Sequence, residues 1–153
     1  GSRLVALILA YKRIEKESIV EDPFVSSVIG AVQLALQEKG YFLLLYSNPD
    51  MEDCVKISRE WNVDGIILLG AKREGYYKMK ESLSVPVVSI DTPFSATDAE
   101  YTNIGLEDFE AAKEMTRYLF SMGHRKIAFF SLTEGGELLE KHYIDSERYR
   151  GFK

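Results

Sequence analysis

The sequence predicts an α/β domain, a parallel sheet with helices on both faces. Three observations carry that prediction. Short apolar runs alternate with longer segments whose apolar residues recur at helical spacing. Several runs are apolar throughout, as strands covered on both faces are. Glycines and turn formers stand between the two kinds of segment.

Residues 4–10 form the first such run, rich in Leu and closed by Ala10. Residues 24–39 then place Val25, Val28, Ile29, Val32, Ala35 and Leu36 on one helix face, with Gly40 as the stop. Asp22 suits the cap of that helix and Pro23 its first position, which leaves Phe24 at the entry. The second strand covers 41–46 and ends in the turn formers Ser47, Asn48, Pro49 and Asp50. Cys54, Ile57 and Trp61 share a face of the next helix, and Asn62-Val63-Asp64 leads into a third strand over 65–70. A short helix over 75–83 and a fourth strand over 85–90 follow, with Asp91 at the carboxyl end. Residues 101–104 read as a brief extended segment at the sheet edge. Phe109, Ala112, Thr116 and Leu119 face inward from a helix over 107–122, and Gly123 ends it. A last strand is expected over 126–131, and 146–153 read as the opening turns of a helix.

The 153 residues suit one ordinary domain or most of one; 46% are apolar and 28% charged, a globular balance. A net charge of −5 argues against nucleic-acid binding by this surface. The single cysteine, Cys54, excludes an internal disulfide. Gly1-Ser2 reads as a remnant of tag removal and is set aside. The run at 4–10 is far shorter than the ~20 residues that span a bilayer and lacks the features of a signal peptide, so a cytoplasmic location is expected.

Ligands bind beyond the carboxyl ends of strands in open parallel sheets. That rule selects Tyr11, Ser47, Asn48, Leu69, Gly70, Asp91 and Ser131. Catalysis would need a nucleophile beside a base, an acid/base pair or a metal cluster. The chain has two histidines: His124 just past a helix end, where an imidazole can bond free carbonyls, and His142 in a polar loop. There is no Cys-x-x-Cys, no His-x-x-x-His and no Gly-x-Ser-x-Gly, and Gly135-Gly136 reads as a turn. Tyr11-Lys12-Arg13 stands where a dinucleotide fingerprint would need glycines, and 12–17 read as a solvated loop. No catalytic residue, metal ligand or cofactor is assigned, and the chain is read as a non-enzyme.

Asp91 could accept hydrogen bonds from a polar ligand or cap its own turn with Thr92 and Pro93, and both readings stay open. A phospho-acceptor or metal site would want a second acid where Tyr11 stands. Phe24 is either core or an apolar platform for a ligand ring. Arg148, placed in the first turn of the terminal helix, reads on spacing alone as a surface arginine, although a guanidinium there can form a fork to hydroxyls or anions.

In order, Asp22-Pro23-Phe24, the run from Gly40 to Leu45, Val63 to Ile67, Val85 to Asp91, Gly123 to Phe129 and Arg148-Tyr149-Arg150-Gly151-Phe152 resemble the effector-binding domain of the LacI/GalR family of transcription regulators. The resemblance runs from about Leu4 to Phe152. It implies a flavodoxin-like, periplasmic-binding-protein-like lobe over 3–124, the start of a second lobe over 125–153, and a DNA-binding headpiece outside the chain. It further implies a dimeric repressor whose sugar or similar small polar effector modulates operator binding, with Tyr11, Phe24, Asp91 and Arg148 lining the cleft. A sugar-binding protein for transport shares the fold and is the alternative. The stretch 14–21 is longer than usual in the family, and Ile104 to Asp108 depart from its Asp-Asn pattern.

Overall fold

The computed structural model describes residues 1–11, 18–131 and 143–153, which form two compact units, Gly1–Gly105 and Leu106–Lys153. The first unit holds β1 (Leu4–Leu9), a 3-10 turn (Ile19–Glu21), α1 (Pro23–Glu38), β2 (Phe42–Ser47), α2 (Met51–Glu60), β3 (Gly65–Leu69), α3 (Arg73–Ser82), β4 (Val87–Ile90) and β5 (Asn103–Ile104). Its five strands are all parallel, in the order β2-β1-β3-β4-β5. The chain therefore moves outward on one side of β1 and then on the other, which makes β1/β3 the switch point where such sheets open a crevice.

The two-residue period of a strand divides the core between the sheet faces. Leu7, Leu9 and Leu69 pack with Val25 of α1, joined by the partly buried Val28, Ile29 and Val32. Ala6, Ile8, Ile66, Leu68 and Val87 point to the other face, against Cys54 and Val55 of α2 and Tyr76 and Met79 of α3. Each fully buried aliphatic side chain of this kind contributes about 1.5–3 kcal/mol relative to an exposed one. Helices thus cover both faces, as the apolar runs predicted.

The caps also follow the sequence. The Asp22 carboxylate accepts the N–H groups of Phe24 and Val25 at 2.9 and 3.0 Å, and Pro23 takes the first helical position, where no N–H is needed. Gly40, at φ +74°, ends the turn beyond α1, a conformation that costs glycine little. β5 is the short edge strand expected at 101–104, trimmed to two residues. Trp61 departs from expectation: it is 57% exposed, because α2 closes at Glu60 and Asn62 turns the chain at φ +50°.

The second unit contains α4 (Asp108–Ser121) and α5 (Tyr143–Phe152). Phe109, Ala112, Thr116 and Leu119 are half-buried positions of α4. Gly151 of α5 lies so close to α4 that a Cβ there would collide with the Phe109 carbonyl and stand 3.0 Å from the Ala112 Cβ. Arg148 occupies the second turn of α5, not the first, because the helix starts at Tyr143. The expected strand at 126–131 does not form among the described residues. A strand needs a partner backbone, and here Phe129 packs instead on Tyr149 and Phe152, at ring distances of 5.5 and 5.4 Å. The carbonyl of Phe120, near the end of α4, is met by the Arg125 guanidinium at 2.8 Å, the role expected of His124, which is exposed. The loop at 12–17, Gly135-Gly136 and His142 lie outside the described residues.

Candidate functional site

Tyr11 follows β1 and Gly70 follows β3, so the two meet at the switch point. The Tyr11 ring carbons stand 2.7 Å from where a Cβ on Gly70 would be, and Gly70 has φ +77°. Only glycine meets both demands. Burial, and then the negative charges of Asp91 and Asp22, push the Tyr11 phenol up to about 12. The phenol is thus a neutral hydrogen-bonding group at neutral pH, within electrostatic reach of two carboxylates. Asp22, as the cap of α1, also fixes Phe24 in the first helical turn, where it is 48% exposed.

Asp91 ends β4 in the left-handed region, φ +55°. For a residue with a Cβ this conformation is uncommon, and Asp and Asn tolerate it better than most. Its N–H donates to the Ile104 carbonyl at 2.8 Å, which extends the β4–β5 ladder by one bond. The next residue, Thr92, is buried; its N–H donates to Asn103 Oδ1 at 3.1 Å and its hydroxyl to the Ala71 carbonyl at 3.1 Å. The Thr92 N–H is therefore held by Asn103 and not by an Asp91 turn cap.

Asp91 and Asp22 thus both act on Tyr11 within the first unit, and Phe24 follows Asp22 at the entry of α1. Arg148 belongs to the second, where its Nε donates to Asp108 Oδ1 at 2.8 Å. Two other strand-end residues, Asn48 and Leu69, have structural roles. Asn48 donates to the Tyr46 hydroxyl at 3.0 Å and to Asp53 at 3.3 Å, and accepts the Asp50 N–H at 2.8 Å. Leu69 is fully buried, and the buried Ser131 hydroxyl has no hydrogen-bond partner among the described residues. Cys54 is buried, and burial followed by the charges of Asp50 and Asp53 pushes its thiol up to about 12, the opposite of an activated nucleophile. Among the described residues, no group of His, Cys, Asp or Glu could hold a metal ion, and no helix is long and apolar enough to cross a membrane. A hollow lined by Arg3, Gln33, Gln37, Tyr41, Phe42 and Leu43 lies at the amino end of β2, away from these residues.

Sequence reasoning passed over Asn103, Thr92 and Gly105. The available signal was a polar Asn inside a short edge strand, which carries no meaning until the register pairs it with Ser89.

Residues 6–142 match the family of periplasmic binding proteins and the sugar-binding domain of LacI-family proteins. The chain belongs to that family. It is a LacI-type effector-binding domain, which places it in a non-enzymatic family. The chain is 29% identical over 130 residues to the transcriptional regulator GntR of Escherichia coli K12, covering 81% of this chain and 37% of that protein. It is 24% identical over 110 residues to the transcriptional repressor CytR of the same organism, covering 69% of this chain and 32% of the repressor. The chain thus spans about a third of the length of the curated relatives it matches. The solved complex of the transcriptional regulator CelR with cellobiose superposes at a TM-score of 0.77 and 21% identity, over 98% of this chain and 44% of that one. That likeness shows the LacI-type fold.

Proposed function

We propose that this chain is the ligand-sensing part of a bacterial LacI/GalR-type repressor, with a sugar or similar small polar metabolite as effector. The observation that carries the reading is Tyr11 packed against Gly70 at the switch point of the sheet, with the charges of Asp91 and of Asp22, the cap of α1, acting on its phenol. A neutral phenol, a carboxylate and an aromatic ring are the groups that hold hydroxyls and a sugar's apolar face. In this reading Arg148 supplies a guanidinium fork from the second lobe, which begins near 125. The cellobiose bound by CelR supports a carbohydrate effector.

The whole protein is read as a cytoplasmic homodimer that reaches operator DNA through a helix-turn-helix headpiece outside this chain. The effector acts by binding one lobe arrangement better than another, since only differential affinity shifts such an equilibrium. The test is titration of the full-length protein on its operator with a panel of sugars, beside Asp91→Asn and Arg148→Ala. Sugar-dependent operator affinity, weakened in both variants, is the expected result. Operator affinity indifferent to every bound sugar would sink the reading.

A transport sugar-binding protein is the second reading, because the family description covers both kinds. The matched curated relatives are transcription regulators, which favours the first. The gene's upstream sequence separates them: a signal peptide indicates transport, a basic helix-turn-helix regulation.

A further inference from the structure

We propose that Asn103 is the positioning residue for Asp91, setting the carboxylate beside its own amide at a polar notch over Gly105; this rests on reading Asp91 as an effector contact. Asn103 is paired with Ser89 in the β4–β5 register, two residues before Asp91. Its Oδ1 accepts the Ser89 hydroxyl at 2.8 Å and the Thr92 N–H at 3.1 Å. One side-chain oxygen therefore bridges the residues on either side of Asp91. With the Ile104 carbonyl on the Asp91 N–H, the edge strand grips the β4 terminus at three points and holds the φ +55° turn between them.

The same bonds orient the rest of the Asn103 amide. A backbone N–H can only donate, so the atom facing Thr92 must be the oxygen. The NH2 then points away from it, and it stands 3.7 Å from where a Cβ on Gly105 would be, while Asp91 Oδ1 stands 3.3 Å from that point. A donor and an acceptor thus flank one position kept clear by the missing side chain of Gly105, which is exposed. A hydroxyl donates to a carboxylate and accepts from an amide, so a hydroxylated ligand fits the pair.

The test is NMR on isotopically labelled chain, comparing the wild type with Asn103→Leu, Asn103→Ser and Asn103→Asp. Loss of the Oδ1 acceptor in the Leu and Ser variants is expected to speed exchange of the Thr92 amide roughly tenfold, the scale of one hydrogen bond. It should also remove the positive-φ chemical-shift signature of Asp91. Asn103→Asp keeps the acceptor and is expected to restore both, with the Leu68 amide unchanged throughout as a measure of the intact sheet. If Asn103→Leu does not fold, the shorter Asn103→Ser carries the same prediction. An Asp91 signature that survives in the Ser variant, or that the Asp variant fails to restore, overturns the proposal. Sugar binding is read apart, by calorimetry of the full-length protein with cellobiose and a wider sugar panel. A wild type that binds none counts against the effector reading and leaves the Asn103 result standing.

Discussion

The Nε–H of Arg148 donates to Asp108 Oδ1 over 2.8 Å, so the second turn of α5 is tied to the first turn of α4. The carboxylate is largely covered, 11% exposed, whereas the guanidinium is 48% exposed. An ion pair with one partner in water contributes about 0.2–1 kcal/mol. Asp108 adds a helix-dipole contribution of about 0.3–1 kcal/mol from its place at the α4 amino end. Asp108→Ala should then cost about 1 kcal/mol by urea denaturation, and Asp108→Asn less, because the amide keeps an acceptor. Equal losses in the two variants would contradict this account.

Gly151→Ala sets two effects against each other. Alanine is the better helix former by about 1 kcal/mol. Its Cβ, however, would run into the backbone of α4 at Phe109, and backbone cannot swing aside as a flexible side chain can. Overpacking of this kind typically costs about 1–3 kcal/mol, so a net loss is expected. A raised melting temperature in differential scanning calorimetry would show that α4 and α5 separate more freely than their packing implies.

Gly70→Ala should be worse tolerated. The substitution forces a Cβ into a left-handed turn and against the Tyr11 ring together. The conformational part alone is about 1–2 kcal/mol, and displacement of the ring adds to it. Gly70→Ala combined with Tyr11→Ala removes the collision and should recover part of the stability. No recovery in the double variant would mean the backbone turn carries the whole cost.

Alkaline pH should loosen the fold. Tyr11 is raised from 10.0 to about 12 and Cys54 from 9.0 to about 12, so the unfolded chain releases these protons first. For groups raised in the folded state, the stability they contribute is intact below the unfolded values and lost as pH climbs through the folded ones. Urea midpoints should therefore fall from pH 9 with Cys54, from pH 10 also with Tyr11, and level off near 12. Tyr11→Phe and Cys54→Ala should each flatten part of that slope. A slope identical in both variants and the wild type would assign the pH dependence to other groups.

Asp22 joins helix and site. Asp22→Ala removes the acceptor for the Phe24 and Val25 N–H groups and should cost about 1 kcal/mol. It also removes a negative charge that acts on Tyr11. Ultraviolet titration should find the Tyr11 phenol ionising at lower pH in Asp22→Ala than in wild type. An unmoved Tyr11 would separate the cap from the site.

Much of the first unit was legible because its signals are local. The apolar run at 4–10 leaves little alternative to a buried strand, and Asp22-Pro23 marks a helix start within one residue. The strand at 126–131 was misread because a short apolar run reports burial, and that can come from rings as well as from a sheet. Phe129 found Tyr149 and Phe152. At the candidate site, Tyr11, Phe24 and Asp91 were visible as strand-end and helix-entry residues. Asn103 was not, since its meaning depends on register between two strands separated by a long loop. Arg148 was visible as a residue, but its Asp108 partner sits forty positions away.

The left-handed turn at Asp91 bears on how this chain can diversify. Most single-nucleotide changes at an aspartate codon bring in a side chain that resists positive φ. Asparagine, histidine and glycine are the reachable exceptions, and glycine removes every polar atom beyond the backbone. On the reading of Asp91 as an effector contact, a lineage changing its ligand preference would thus meet a narrow passage at residue 91. Mutational scanning should find variation collecting on the neighbouring loops, where the backbone imposes no such filter.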